Sequence, residues 1–297
     1  MVRLKNIPYG LIISIIVAII LYNCSNKKSI NNIIDNKTVN KKELNIWCYW
    51  EPQPPPEIVL KCYENWVNVS KLENIYYLNE NNITEYIPRS DLDKINKYSD
   101  GNLAIKSDFI GLYLLNKYSG VWLDSSIYFS KPLKEWLPTG KFFAFEAGRF
   151  NSYTKSMETF LMYSPSPNNP IPLKWFKTMV YVSENFKNKK DFFDHAENKY
   201  PGIVGGLHEY LWVYLAGKYL LAENPELVNE LNTLKAEDIP WYDTEQSGWD
   251  AEITCSRLKK KTEESKAPCS RCYVTKLYSA LRDCDPSIIP LELFNDI

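Results

Sequence analysis

The hydrophobic pattern along the 297-residue chain passes through three regimes. Between Lys5 and Lys27 no residue is charged, and Leu11 to Tyr22 reads LIISIIVAIILY. At about 1.5 Å per residue such a stretch just crosses a hydrocarbon core of roughly 30 Å, which predicts an N-terminal transmembrane helix, a signal anchor, over residues 1–22. A cleaved signal peptide is the competing reading, because the most apolar part is short enough for an h-region. Residues 23–42 are polar, rich in Asn and Lys and aperiodic, and are expected to form a tether.

Periodicity returns at Leu44. Leu44 to Trp50 is a β-type run closed by the turn Glu51-Pro52-Gln53-Pro54-Pro55-Pro56, and Ile58, Val59, Cys62, Tyr63 and Trp66 follow at helical spacing. Ile75 to Leu78 predicts a second strand, with a short helix near Ile83 to Ile87. Leu103 to Tyr118 is apolar nearly all round and predicts a buried helix. Val121 to Leu123 and Phe142 to Phe145 predict further strands. Strands alternating with helices indicate an α/β sheet. Later on, Leu173 to Asn185 and His208 to Leu221 read as helices, Pro225 to Leu234 as a short helix, and the chain beyond Trp241 as loop with a solvated basic patch at Lys259 to Lys261. The expected division is a domain over 43–245 and a Cys-containing extension over 246–297.

Composition narrows the class only slightly. Net charge is −1, so no nucleic-acid partner is expected, since that would call for a basic excess. Aromatic content of 14% suits a packed core as readily as a sugar-stacking surface. Beyond Cys24 six cysteines remain, four of them from Cys255 onward and two spaced as CxxC, Cys269 and Cys272. Two disulfides are expected if the domain lies in an oxidising lumen and free thiols if it is cytosolic, with zinc binding by the CxxC and two distant partners as a further reading.

Two carboxylates carry the candidate chemistry. Asp124 ends the apolar run Val121-Trp122-Leu123, where open α/β sheets bind ligands beyond the carboxyl ends of their strands. There a carboxylate can hold Mg²⁺ or Mn²⁺ and so engage the phosphates of a nucleotide, with Ser125 and Ser126 as hydrogen-bonding partners. A turn aspartate that only caps the next element is the other reading. Asp108 shares a helix face with Ala104, Gly111 and Leu115, so burial there demands a partner.

The stretch SDFIGLYLLNKYSGVWLDSSIYFSKPL, from Ser107 to Leu133, resembles the central motif of the capsular-polysaccharide-synthesis-type glycosyltransferases. These are relatives of the glycosyltransferases with a DXD-bearing sugar-binding region that include the initiating α-mannosyltransferases. NIWCYWEPQPPPEIVLKCYENW, from Asn45 to Trp66, is similar to the family's first strand and following helix, and HEYLWVYL, from His208, more weakly to a later helix. The resemblance implies an α/β fold with a GT-A-like, Rossmann-type mixed sheet. It also implies that Asp124, as first DXD acid, holds a divalent cation (Mn²⁺ or Mg²⁺) and the donor diphosphate. Asp108 would lie against the nucleotide or sugar, Trp47 and Tyr49 would line the nucleotide site, and Ser126 would fall on the last DXD position. His208 is a candidate further metal ligand, alongside Glu209, Asp243 and Asp250, while Glu146 either faces the acceptor or simply ends a strand. Three positions depart from the pattern: Gly111 replaces an expected Arg, Ser119 the first Gly of a pair, and Ser126 an Asp.

The expected function is transfer of a sugar from a UDP- or GDP-sugar to a glycan or polysaccharide hydroxyl by a single-pass, type II membrane protein. A domain facing the Golgi or ER lumen is favoured, with a cytoplasmic domain on a bacterial inner membrane as the alternative. The rival reading is a degenerate domain that binds nucleotide or glycan without turnover.

Overall fold

The computed structural model describes residues 44–265 and 272–293. The expected anchor and tether lie outside them, and no helix among the described residues is long and apolar enough to cross a membrane. The core is a six-stranded sheet in the order β2-β1-β3-β6-β5-β7. Its strands are β1 (Ile46–Tyr49), β2 (Ile75–Leu78), β3 (Gly120–Leu123), β5 (Phe142–Glu146), β6 (Met157–Ser164) and β7 (Leu231–Lys235). β1 runs parallel to β2 and β3, and β5 parallel to β7, while β6 is antiparallel to both β3 and β5. Five strands therefore point one way. The sheet is mixed and parallel-rich, and its strand order reverses at β1.

Nearly every strand residue of β1, β3 and β5 is buried, as expected for strands covered on both faces. Helix α1 (Glu57–Asn68) follows the proline turn and buries Ile58, Val59, Cys62, Asn65 and Trp66 on one face. Helix α2 (Arg89–Ser99) packs on α3 (Leu103–Tyr118). Asn102 caps α3 by accepting from the amides of Ala104 and Ile105, which satisfies two otherwise orphaned donors. Helices α4 (Pro170–Asn185) and α6 (Trp212–Glu223) pack on each other, with α5 (Lys189–Lys199) between them in the chain.

A second, two-stranded sheet joins β4 (Ile127–Phe129) to β8 (Val274–Lys276) in antiparallel register, Ile127 opposite Lys276. Asn65 of α1 clamps this sheet: its amide donates to the Phe129 carbonyl at 2.9 Å and to that of Pro290 at 2.7 Å, and accepts from the Phe129 amide at 2.7 Å.

Several sequence expectations need correction here. Pro225 to Leu234 is expected to be one short helix, yet only Pro225–Glu230 is helical, as a 3₁₀ turn, and Leu231 opens β7 because β5 offers it a parallel edge. The chain beyond Trp241 is not loop: it forms α7 (Tyr242–Gln246) and α8 (Ala251–Glu263). Lys261 leaves the expected solvated patch to pair with buried Asp243. The helix at 208–221 instead starts at Trp212, after a 3₁₀ turn. Cys255 and Cys284 are disulfide-bonded and Cys272 also sits in a disulfide, whereas Cys48 and Cys62 are buried free thiols.

Candidate active site

β1 and β3 lie side by side at the point where strand order reverses, and the crevice beyond their carboxyl ends is where an open α/β sheet exposes a binding site. A cavity of about 540 Å³ occupies it, within the range of small-ligand sites. Tyr49 reaches it from the end of β1. Asp124 reaches it from β3: its amide still donates to the Phe160 carbonyl at 2.8 Å, one bond past the strand, so the carboxylate emerges where the ladder stops.

Asp108 enters from α3, and Ser125, Ser126 and Thr159 complete the floor. Burial is the main reason the Asp108 carboxyl is pushed up to about 8, with the nearby Asp124 charge adding to it and Thr159 and Lys276 pulling back. Near neutral pH Asp108 therefore favours its protonated form, in which the carboxyl can donate a hydrogen bond. Behind it, buried Glu158 accepts hydrogen bonds from Tyr214 and, at 3.2 Å, from Trp241, both cavity residues.

Among the residues named from sequence, Asp124, Asp108, Ser126 and Tyr49 converge on this cavity. Trp47 does not. It lies two residues short of the strand end, stacked on Tyr76 with ring centroids 4.4 Å apart, its indole donating to the Ser119 carbonyl at 2.8 Å. His208 lines a separate depression with Lys190, Asp194 and Glu209. It follows the Gly205-Gly206 turn, and Tyr210, two residues further on, lines the cavity instead. Asp243 is bound to Arg257 and Lys261, and Asp250 caps α8 by accepting from Ile253. Glu146 accepts from Asn151, Lys155 and Thr233 at 2.7–2.9 Å, the strand-ending role.

The residue that sequence reasoning missed is Lys276. Its ammonium sits 2.5 Å from Asp124 Oδ2 and 2.9 Å from Ser126 Oγ, and its side chain is 8% exposed. The only sequence sign was a lysine inside the apolar run Tyr273-Val274-Thr275-Lys276-Leu277. Arg282 joins it on the cavity wall, its guanidinium 5.3 Å from the Trp50 ring centroid. Glu51, also lining the cavity, is turned to the Glu80 amide at 2.9 Å.

A divalent cation at Asp124 would meet an ammonium already there. Among the described residues no group of three or more His, Cys, Asp or Glu side chains is arranged to hold a metal ion. With the Asp124 carboxylate paired to Lys276 and a serine at position 126, this donor set is a poor match for Mn²⁺ or Mg²⁺, which favour several oxygen ligands that are free to coordinate.

The family model described as capsular polysaccharide synthesis protein matches residues 14–195. The chain belongs to that family. The match includes Asp108 and Asp124 and stops short of Lys276 and Arg282. No curated protein matches the sequence. Among solved structures it is similar to PaToxG glycosyltransferase, with 15% identity, TM-score 0.41, and 72% of this chain and 79% of that one covered. It is also similar to mouse xyloside xylosyltransferase 1, with 11% identity, TM-score 0.38, and coverage of 70% and 93%. The Streptococcus pneumoniae glycosyltransferase GlyE follows at 11% identity and TM-score 0.36, with 80% of this chain and 55% of GlyE covered.

Proposed function

We propose that the protein is a glycosyltransferase that takes a sugar from a nucleotide-sugar, a UDP- or GDP-sugar, and joins it to a hydroxyl of a glycan or polysaccharide. The observation that carries this reading is the meeting of Tyr49, Asp108, Asp124 and Lys276 in one cavity at the strand-order reversal. Family membership supports it further, since building a capsular polysaccharide requires glycosidic bonds.

In the reaction the bond from the anomeric carbon to the diphosphate oxygen breaks and one to the acceptor oxygen forms. The hydroxyl proton is released, and the nucleoside diphosphate departs with the electron pair. Charge accumulates on the diphosphate, so fixed donors and cations facing it lower the barrier most. Asp108, protonated near neutrality, donates to a donor oxygen, and Asp124 orients the Lys276 ammonium. The aromatic wall of Trp50, Tyr210, Trp241 and Tyr278 offers ring faces to base or sugar. Anchoring through residues 1–22, with the domain on the luminal side, belongs to the same proposal.

Incubating the 297-residue chain with a panel of UDP- and GDP-sugars and following nucleotide release tests it. Release by wild type that falls to background in Asp124→Asn is the expected result. Nucleotide binding with no release from any donor, with capsular oligosaccharides supplied as acceptors, would mark a non-catalytic binding domain.

A further inference from the structure

The ion pair between Lys276 and Asp124 sits where the resemblance places a divalent cation. We propose that this protein recognises the diphosphate of its donor with its own cations, Lys276 and Arg282, and binds nucleoside diphosphates without a metal ion. The inference rests on the nucleotide-sugar reading given above and says how that site handles phosphate.

Three observations carry it. A lysine ammonium has three donor hydrogens. At Lys276 one goes to Asp124 and one to Ser126, which leaves one for an oxygen brought into the cavity. Its stem is buried and held by β8 opposite Ile127, so the charge is fixed in place before ligand arrives. The second cation, Arg282, has its Nε buried with no hydrogen-bond partner, and so does the indole nitrogen of Trp50, over whose ring the guanidinium lies. Both residues line the cavity, so these are donors that water or a ligand entering it must complete.

The chemistry is consistent. An ammonium and a guanidinium neutralise a diphosphate by charge-assisted hydrogen bonds, the guanidinium through two parallel donors. Ser126, which departs from the metal-binding acid of the motif, is the residue that supports the lysine. Asp124 becomes the lysine's positioning residue rather than a metal ligand. The exchange is coherent: a carboxylate at position 126 would draw a metal, and a hydroxyl there accepts from an ammonium.

Equilibrium binding of UDP and GDP to the 297-residue chain, measured by calorimetry in EDTA and again in Mg²⁺ or Mn²⁺, is the test. The expected result is affinity within about twofold in the two buffers, and about tenfold or greater weakening in EDTA for Lys276→Met, with partial recovery in Lys276→Arg. Arg282→Ala is expected to weaken binding in both buffers. Binding that appears only with metal in wild type overturns the inference and leaves the glycosyltransferase reading standing. Absence of binding in every buffer sinks both. If Lys276→Met fails to fold, the wild-type comparison between EDTA and metal still separates metal-free from metal-dependent binding.

Discussion

A Cβ built on Gly111 would lie 2.6 Å from Cδ2 and 2.8 Å from Cε2 of Trp122. Helix α3 therefore rests directly on the indole of β3, and the glycine found where the family pattern has an arginine is a packing requirement. Gly111→Ala is expected to lower stability by about 1–3 kcal/mol, the usual cost of overpacking a rigid core. Because α3 carries Asp108, donor binding should weaken too. Thermal melting of the variant checks the first effect; an unchanged melting temperature would show that the helix and indole separate easily.

Ser119 has φ 60° and ψ −170°, a region populated almost only by glycine. The strain is held by its neighbours: Gly120 follows at φ 100°, so close to Asn45 that a Cβ there would fall 2.3 Å from the carbonyl oxygen. Ser119→Gly is expected to stabilise by about 1 kcal/mol, read as a higher urea midpoint with the slope unchanged. A lower midpoint would mean that the serine side chain contributes more than the strain costs.

Burial pushes the Glu158 carboxyl up to about 7 from its ordinary 4.5, against the opposing pull of Tyr214 and Trp241. The folded protein thus binds this proton more tightly than the unfolded chain. The stability this group contributes is fully present below about 4.5 and is lost as pH rises through about 7, a difference corresponding to ~3 kcal/mol. Glu158→Gln should flatten the fall between pH 5 and 8. Parallel stability profiles for the two proteins would show that Glu158 does not titrate in that range.

The disulfide between Cys255 and Cys284 ties α8 to the segment two residues beyond Arg282, closing a loop of 29 residues in sequence separation. Chain entropy assigns such a loop about 3–4 kcal/mol. Replacing both cysteines by alanine should lower the melting temperature and weaken UDP binding together. A loss of stability with unaltered binding would separate the staple from the site.

Much of the first half was legible because its elements announce themselves locally. Leu44 to Trp50 and Ile75 to Leu78 are short β-type runs bounded by turns, and Leu103 to Tyr118 is a long apolar helix. Asp108 and Asp124 stood out as charges in apolar surroundings, and both reach the cavity. The remainder depends on distant partners. β7 looks helical until β5 pairs with it, and β6 is buried on both faces, polar Glu158 and Thr159 included, so it shows no alternation. Trp47 and Tyr49 share one strand face, and only the position of the sheet edge separates the residue inside the core from the one at the cavity. Lys276 is 152 residues from Asp124, so nothing near either residue advertises the pair.

That separation also sets an order of assembly on the ribosome. At roughly 5–20 residues per second, Lys276 is made on the order of ten seconds or more after Asp124. Throughout that interval Ile127, Tyr128 and Phe129 have no β8 beside them, and an apolar strand edge stays open to other chains. The nascent protein therefore stays open to misassociation, and to chaperones, along this edge until β8 completes the site.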